Sequence, residues 1–228
     1  MSRFERLLAR LQRFYGFLAQ PPKDPFMFFV WEILSARTTP GRRDIAIGAL
    51  RRLPALTPDA MMRAPQAKLA AAVALAGPHA DQRLSALRTG AEQFRRSEAL
   101  RTLALRPLIA ARRALRPLPQ FDTVAARRML LFTTGRGPIP PDPRVMRVGR
   151  RLGFGSTSGV ARRDVRDLQR TLTRMFVSQL EDCRQAFLYL AHHGDATCTA
   201  ADPHCVVCPV RDDCPDGQQR LAARATLS

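Results

Sequence analysis

The segment CTAADPHCVVCPVRDDC, residues 198–214, has a cysteine at each end and an inner pair of cysteines. The spacing is C-x6-C-x2-C-x5-C, and it includes all but one of the 5 cysteines in the chain. The inner pair, Cys205 and Cys208, places two thiolates on adjacent corners of one compact group, and Cys198 and Cys214 reach that group through short loops. Four thiolates so close in sequence are typical of a four-iron four-sulfur cluster.

Two other interpretations of this spacing stay open. Zinc sites with four cysteines usually have two C-x-x-C pairs separated by a longer loop, whereas this stretch has one such pair. Unligated cysteines are the remaining alternative. Cys183 lies alone in an apolar helical pattern, which predicts a buried small side chain.

The charge of the chain indicates a polyanionic partner. The 228 residues include 37 lysine and arginine against 19 aspartate and glutamate, for a formal net charge of +18. Surface solubility does not require so large a charge, and this charge favours a polyanion as the partner. Only Lys23 and Lys68 are lysines. Biased genome composition is the favoured explanation of this arginine excess, and selection for phosphate recognition is the alternative.

Apolar residues recur at helical spacing, and no alternating strand pattern is longer than about four residues. The sequence therefore predicts an all-α protein, with helices near residues 3–19, 26–37, 43–53, 66–76, 80–96, 107–115, 123–133, 143–151, 164–175 and 177–192. The apolar run Phe26–Trp31 is predicted to be core, and base stacking is its alternative role. Residues 1–20 predict an amphipathic surface helix, with an organellar transit peptide as the alternative. No apolar stretch reaches the roughly 18 residues that predict a membrane span.

The residues around the cysteines resemble a known family. His193-Gly194 precedes Cys198, and Pro203-His204 precedes Cys205, as in the "HGxxxC…P-x-C" run of the endonuclease III superfamily of DNA glycosylases. The resemblance implies a 4Fe-4S cluster bound by the four cysteines. In that family the cluster is structural: it shapes a basic loop that lies on the DNA backbone and takes no part in the reaction.

A second match is LPQFDTVAA at residues 118–126, which resembles the family's helix-hairpin-helix, L-P-G-V-G-x-K-T-A. Gln120 and Asp122 replace the two glycines that let the turn adopt positive φ and approach a phosphate. We expect the hairpin to form, with Asp122 capping the helix that begins at Thr123, and to bind phosphate more weakly. The resemblance implies that the hairpin contacts DNA through Leu118, Pro119, Gln120, Phe121 and Asp122.

The third match is PDPRVMRV at residues 141–148, followed by Arg151-Leu152-Gly153, which resembles the family's "V-D-T-H-V-x-R-V…R-L-G". Val124 and Asp142 are 18 positions apart, the separation that the family keeps between its lysine and its aspartate. Val124 has no amine to attack the sugar, so the resemblance implies little or no AP lyase activity. Asp142 is implied to be the catalytic carboxylate, with a helix N-cap as its other role, and Arg144 is a predicted DNA contact.

One loop near the N-terminus resembles the family's "L-S-A-Q-x-x-D". In the run Ser35-Ala36-Arg37, the arginine takes the position of the glutamine that fills the gap left by a flipped base. Arg37 is therefore a candidate wedge, and a solvated arginine at a helix end is the equal alternative.

The resemblance implies two helical domains with the DNA cleft between them. We expect a six-helix domain at residues 25–136, containing the hairpin, and an iron–sulfur cluster domain at residues 1–24 plus 137–228. The predicted function is a monofunctional or weakly active base-excision-repair glycosylase, acting as a monomer on double-stranded DNA in the bacterial-type cytoplasm. A catalytically impaired DNA-binding protein is the main alternative, and a redox or zinc module unrelated to DNA is a third.

Overall fold

The computed structural model describes residues 2–155, 161–175 and 180–225. These residues form thirteen α-helices and contain no β-strand, which confirms the all-α prediction. The helices are α1 (Arg3–Tyr15), α2 (Pro25–Ser35), α3 (Pro40–Arg52), α4 (Pro58–Arg63), α5 (Gln66–Ala74), α6 (Ala80–Arg96), α7 (Glu98–Arg101), α8 (Leu108–Leu115), α9 (Thr123–Met129), α10 (Pro143–Arg151), α11 (Ala161–Met175), α12 (Leu180–Ala196) and α13 (Pro215–Ala225). The chain divides into two compact units, residues 1–20 with 138–228 and residues 21–137.

The core of the unit at residues 21–137 is built around α2. Asp24 caps this helix by accepting from the N–H of Met27, and Pro25 takes the first helical position, so both residues fix its start. In the apolar run Phe26–Trp31, all residues but Met27 and Trp31 are buried, which confirms that the run is mainly core. Phe29 is fully buried against Gly90 of α6, where an added Cβ would lie 2.2 Å from the Phe29 ring.

The other unit packs α10 against α12, α11 and α13, and α1 against α12. The first helix is amphipathic as predicted and buries Phe4, Leu7, Leu8 and Leu11. It ends at Tyr15, earlier than the sequence predicts, because Gly16 takes a backbone φ of +66°. On α11, Leu168 and Leu172 are buried and lie over Gly149 of α10.

The structure contains three helices that the sequence did not predict. Helices α4 and α7 have 6 and 4 residues, which is too short for an apolar period to become visible. Helix α13 begins directly after Cys214 and buries only Gly217 of its residues, so it carries no apolar stripe. The first three residues of the helix predicted at 177–192 lie outside the described residues.

Within the described ranges, none of the helices combines the length and the apolar character needed to cross a bilayer.

Candidate metal centre and nucleic-acid interface

The four clustered cysteines line one hollow. It is also lined by His193 and by Val148 and Arg151 of α10. Short helical turns at Cys205–Val207 and Arg211–Asp213 carry the chain around it. Cys214 is buried, and Cys198, Cys205 and Cys208 are partly exposed. The sequence spacing therefore corresponds to thiols that converge in space, and these four residues could hold a metal group.

In the part of the chain that the structure describes, no three histidine, cysteine, aspartate or glutamate side chains are placed as ligands of one metal ion. Four cysteines match the ligand set of either kind of site: zinc binds four thiolates around one ion, and a cubane cluster distributes four thiolates over four iron atoms.

Two arginines of α10 hold the first cysteine in place. The Arg151 guanidinium donates to Cys198 Sγ at 3.3 Å and to the carbonyl of Thr199 at 2.7 Å. One turn earlier, Arg147 donates to the carbonyls of Cys198 and Gly194, at 3.0 and 2.6 Å. Both side chains lie on one helix face because they are four residues apart. Together these hydrogen bonds tie the cysteine loop to one face of α10.

Burial favours the neutral forms of two groups at this hollow, Cys208 and His193. It raises the pKa of the Cys208 thiol to about 11, with the neighbouring thiols adding to the rise. Burial, followed by the charge of His192, lowers the pKa of His193 to about 4. The imidazole of His193 lies between Tyr15 and the hollow, with Nδ1 2.7 Å from the Tyr15 hydroxyl and Nε2 3.7 Å from Cys208 Sγ.

The glycine of the His-Gly pair has a packing role. A Cβ on Gly194 would lie 2.9 Å from the Cβ of Arg144 and 3.3 Å from its backbone, so a larger residue would push α12 away from α10. This close approach brings the end of α12, and with it Cys198, beside the arginines of α10.

The predicted catalytic carboxylate is buried and ion-paired. Asp142 is 2% exposed and caps α10 by accepting from the Arg144 N–H at 2.9 Å. The Arg144 guanidinium donates to both carboxylate oxygens, at 2.9 and 2.7 Å, and also to Asp195 at 2.7 Å. The hydrogen bonds to Asp142 raise the pKa of Arg144. Arg144, a predicted DNA contact, is thus engaged by two carboxylates within the protein.

The predicted hairpin is present as α8, a short turn and α9. Gln120 adopts a backbone φ of +55° in this turn, the left-handed conformation that the family reaches with glycine. Its side chain is exposed and donates to the carbonyl of Gln82 at 3.0 Å. Asp122 is extended, with φ −74°, and caps α9 by accepting from the Ala125 N–H at 2.7 Å, as expected.

The two hydrophobic residues of the hairpin point into the protein. Leu118 is 3% exposed and Phe121 is 7% exposed, while Pro119 is partly exposed. A ligand approaching this turn would therefore meet its backbone, the Gln120 side chain and the Asp122 carboxylate. Val124, at the position of the family's lysine, is partly exposed on the first turn of α9.

The candidate wedge residue has a strained backbone. Arg37 is exposed and adopts a φ of +51°, an uncommon conformation for a residue with a Cβ. The loop is held on both sides: the buried Arg83 donates to the carbonyl of Ala36, and the Thr38 hydroxyl donates to the carbonyl of Ala76 at 2.5 Å. The loop is thus fixed while the Arg37 side chain stays exposed.

The fold of the chain is similar to those of endonuclease III and a thymine-DNA glycosylase. Two solved endonuclease III structures match the chain: a trapped covalent DNA intermediate in an estranged-adenine complex and a non-covalent DNA complex. Each match has a TM-score of 0.70 and 19% sequence identity, and it covers 97% of this chain and 100% of the matched chain. A thermostable thymine-DNA glycosylase matches with a TM-score of 0.68 and 17% identity, covering 95% of this chain and 97% of its own. No protein-family model and no curated protein sequence matches the chain. The predicted resemblance is confirmed at the level of the fold.

Several residues of the site were not predicted from the sequence. Arg147 and Arg151 lie in the third sequence match, but the sequence did not predict their contacts with the cysteine loop. Their i, i+4 spacing was the available signal, because it places both side chains on one helix face. No sequence pattern marked Arg83, because an arginine in a helix of mixed polarity is expected to be exposed to solvent, whereas Arg83 is 2% exposed. Tyr15 lies 178 positions from its partner His193, and no local pattern links the two.

Proposed function

We propose that this protein is a monofunctional DNA glycosylase of the endonuclease III type, which hydrolyses the N-glycosidic bond of a damaged base in double-stranded DNA. The observation that carries the proposal is the Asp142 carboxylate, capping α10 at the position of the family's aspartate and bonded through both oxygens to Arg144. An ionised carboxylate stabilises the positive charge that develops on the sugar as the base leaves. It can also orient the attacking water.

Strand cleavage by the family's usual route is not part of this proposal. That route needs an amine at position 124, where this chain has valine. The two lysines of the chain, Lys23 and Lys68, are exposed and distant in sequence from the hairpin. The expected product is therefore an abasic site in an intact strand.

DNA binding is assigned to the basic surface of a monomer, with a net charge of +18, and to the hairpin turn. Arg37 is assigned the role of wedge, since its side chain is exposed on a loop that Arg83 and Thr38 hold in place. A guanidinium can stack in the gap that a flipped base leaves. The proposal includes a bacterial-type cytoplasmic location, associated with the nucleoid.

Cys198, Cys205, Cys208 and Cys214 are assigned to a 4Fe-4S cluster. The cluster supplies no reaction step in this proposal; it fixes the loop that Arg147 and Arg151 tie to α10. Purified protein is expected to contain about four iron atoms and four sulfides per chain and to absorb near ~400 nm. Stoichiometric zinc without sulfide would overturn this assignment.

A second function is favoured by one specific observation. Asp142 is 2% exposed and both of its oxygens are bonded to Arg144, so the carboxylate reaches a sugar only if this ion pair rearranges. A protein that binds lesions or unusual DNA structures without removing a base needs no such rearrangement. This is the catalytically impaired alternative.

The two functions are separated by base-release assays on duplexes that carry oxidised pyrimidines, uracil or mismatched adenine, with and without alkali. The glycosylase proposal predicts alkali-dependent cleavage that is lost in Asp142→Asn. Asp195→Asn is the matched control, because it removes the other carboxylate bonded to Arg144 and should retain base release. Tight binding with no base release on any duplex would favour the alternative. A protein–DNA adduct trapped by borohydride would overturn the absence of lyase chemistry.

A further inference from the structure

Three side chains form a hydrogen-bonded row behind one of the cysteines. The Tyr15 hydroxyl oxygen lies 2.6 Å from Thr197 Oγ1 and 2.7 Å from His193 Nδ1. The other ring nitrogen of His193, Nε2, lies 3.7 Å from Cys208 Sγ. Thr197 and His193 are 6% and 2% exposed, so water does not replace these contacts. The row thus leads from the last residue of α1 to the sulfur of a cluster ligand.

The protons that these groups carry determine which atom donates in each hydrogen bond of the row. A neutral imidazole carries one N–H, and its other nitrogen is an acceptor. The Thr197 hydroxyl can donate to the Tyr15 oxygen, which leaves the single phenol proton of Tyr15 free for His193 Nδ1. With Nδ1 accepting, the ring proton is on Nε2, which faces Cys208 Sγ. A Cys208 thiol could drive donation in the opposite direction, but a thiolate bound to iron has no proton to donate. With the cluster in place, donation therefore runs from Thr197 to Tyr15, to His193 and to Cys208.

We propose that Tyr15 is a positioning residue that holds His193 as an N–H donor to the Cys208 thiolate and thereby raises the reduction potential of the cluster. This inference rests on the cluster assigned under the proposed function. A hydrogen bond to a ligand sulfur stabilises the more negatively charged, reduced state more than the oxidised state, because the donor dipole faces a larger charge. Outer hydrogen bonds of this kind also fix the tautomer and orientation of a histidine ring.

The surroundings of Tyr15 allow its hydroxyl to be removed alone. Its ring contacts His192 edge-on, with centroids 4.6 Å apart at 86°, and this packing needs no hydroxyl. The backbone beside it is held separately, since Tyr189 donates to the carbonyl of Gly16 at 2.6 Å. Tyr15→Phe therefore removes two hydrogen bonds and leaves the packing of α1 on α12 in place. Tyr189→Phe is the matched control, because it removes a phenol hydroxyl of the same unit that bonds to a backbone carbonyl.

The experiment compares the cluster-loaded wild type, Tyr15→Phe and Tyr189→Phe by redox titration and resonance Raman spectroscopy, with iron and sulfide measured in each sample. The inference predicts a lower reduction potential and a higher Fe–S(Cys) stretching frequency in Tyr15→Phe, and neither change in Tyr189→Phe. An unchanged potential in fully loaded Tyr15→Phe would overturn it. A raised potential would also overturn it, since that result follows if His193 donates from Nδ1 to Tyr15.

Two further measurements keep the inference testable if Tyr15→Phe does not retain its cluster. In wild-type protein labelled with ¹⁵N-histidine, pulsed EPR of the reduced cluster should detect a coupled ring nitrogen that carries an exchangeable proton; no such coupling would contradict the inference. In a His193→Phe background, adding Tyr15→Phe should leave the potential unchanged, because Tyr15 acts through His193. Wild-type protein that binds no iron–sulfur cluster would overturn the proposed cofactor, whereas a loaded cluster with an unchanged potential would overturn this inference alone.

Discussion

Replacing Asp122 with asparagine should tighten the binding of duplex DNA without weakening the fold. Asp122 is exposed in the hairpin turn, and its side chain caps α9 by accepting from the Ala125 N–H at 2.7 Å. Asparagine caps helices about as well as aspartate does, so Asp122→Asn retains the cap and removes only the negative charge. If the hairpin approaches a phosphate, this substitution removes a repulsion between two like charges.

The size of the effect follows from Coulomb's law. For a phosphate about 6 Å away, the repulsion is about 0.7 kcal/mol in bulk water and about 2.8 kcal/mol at the effective dielectric constant of about 20 that applies near a protein surface. Physiological salt, with a Debye length of about 8 Å, roughly halves these values. The expected gain is about 0.5–1 kcal/mol, which corresponds to binding that is about two- to fivefold tighter.

The chain offers a closely matched control for this substitution. Asp24 is also an exposed N-cap, and it accepts from the N–H of Met27 at 2.8 Å, the same position within its helix. Asp24→Asn therefore changes the net charge and the cap in the same way, at the start of another helix. Fluorescence anisotropy with a short duplex at several salt concentrations measures both variants against the wild type. Equal affinities for the two variants would refute the reasoning, because the gain would then come from net charge alone.

Two further predictions concern packing and thiol chemistry. Gly90→Ala should lower the free energy of unfolding by about 1–3 kcal/mol, since its Cβ would lie 2.2 Å from the Phe29 ring. Denaturant unfolding measures this change. As a control, Gly48→Ala should raise the free energy of unfolding by about 0.5–1 kcal/mol, because the nearest atom to its Cβ would be 3.8 Å away. Similar losses or gains for both glycines would contradict the packing argument. Cys183 is 7% exposed and burial raises the pKa of its thiol to about 11, so alkylation at pH 8 should be roughly a hundredfold slower than that of an unperturbed cysteine. Peptide mass spectrometry after iodoacetamide treatment measures this rate. Rapid labelling of Cys183 in the native protein would contradict the burial of its thiol.

Local features of this protein were predictable from the sequence because each depends on neighbours in the chain. The helix that starts at Pro25 follows from the Asp24-Pro25 pair, and the cap at Asp122 follows from its position before Thr123. The cysteine spacing indicated a metal group for the same reason, since four thiols joined by short loops cannot lie far apart. The hairpin was expected to form without its glycines, and Gln120 adopts the positive φ that this requires.

The partners of each functional side chain are known only from the folded protein. The sequence identified Asp142 by its register, but only the folded chain shows that it is buried and that Arg144 binds both of its oxygens while also reaching Asp195. The row from Tyr15 to Cys208 joins α1 to the cysteine loop, and Arg83 reaches the loop of Arg37 from another helix. Such contacts depend on how helices pack, and packing is set by side chains distant in sequence. Spacing along the chain therefore determined which residues could do chemistry, and packing determined their partners.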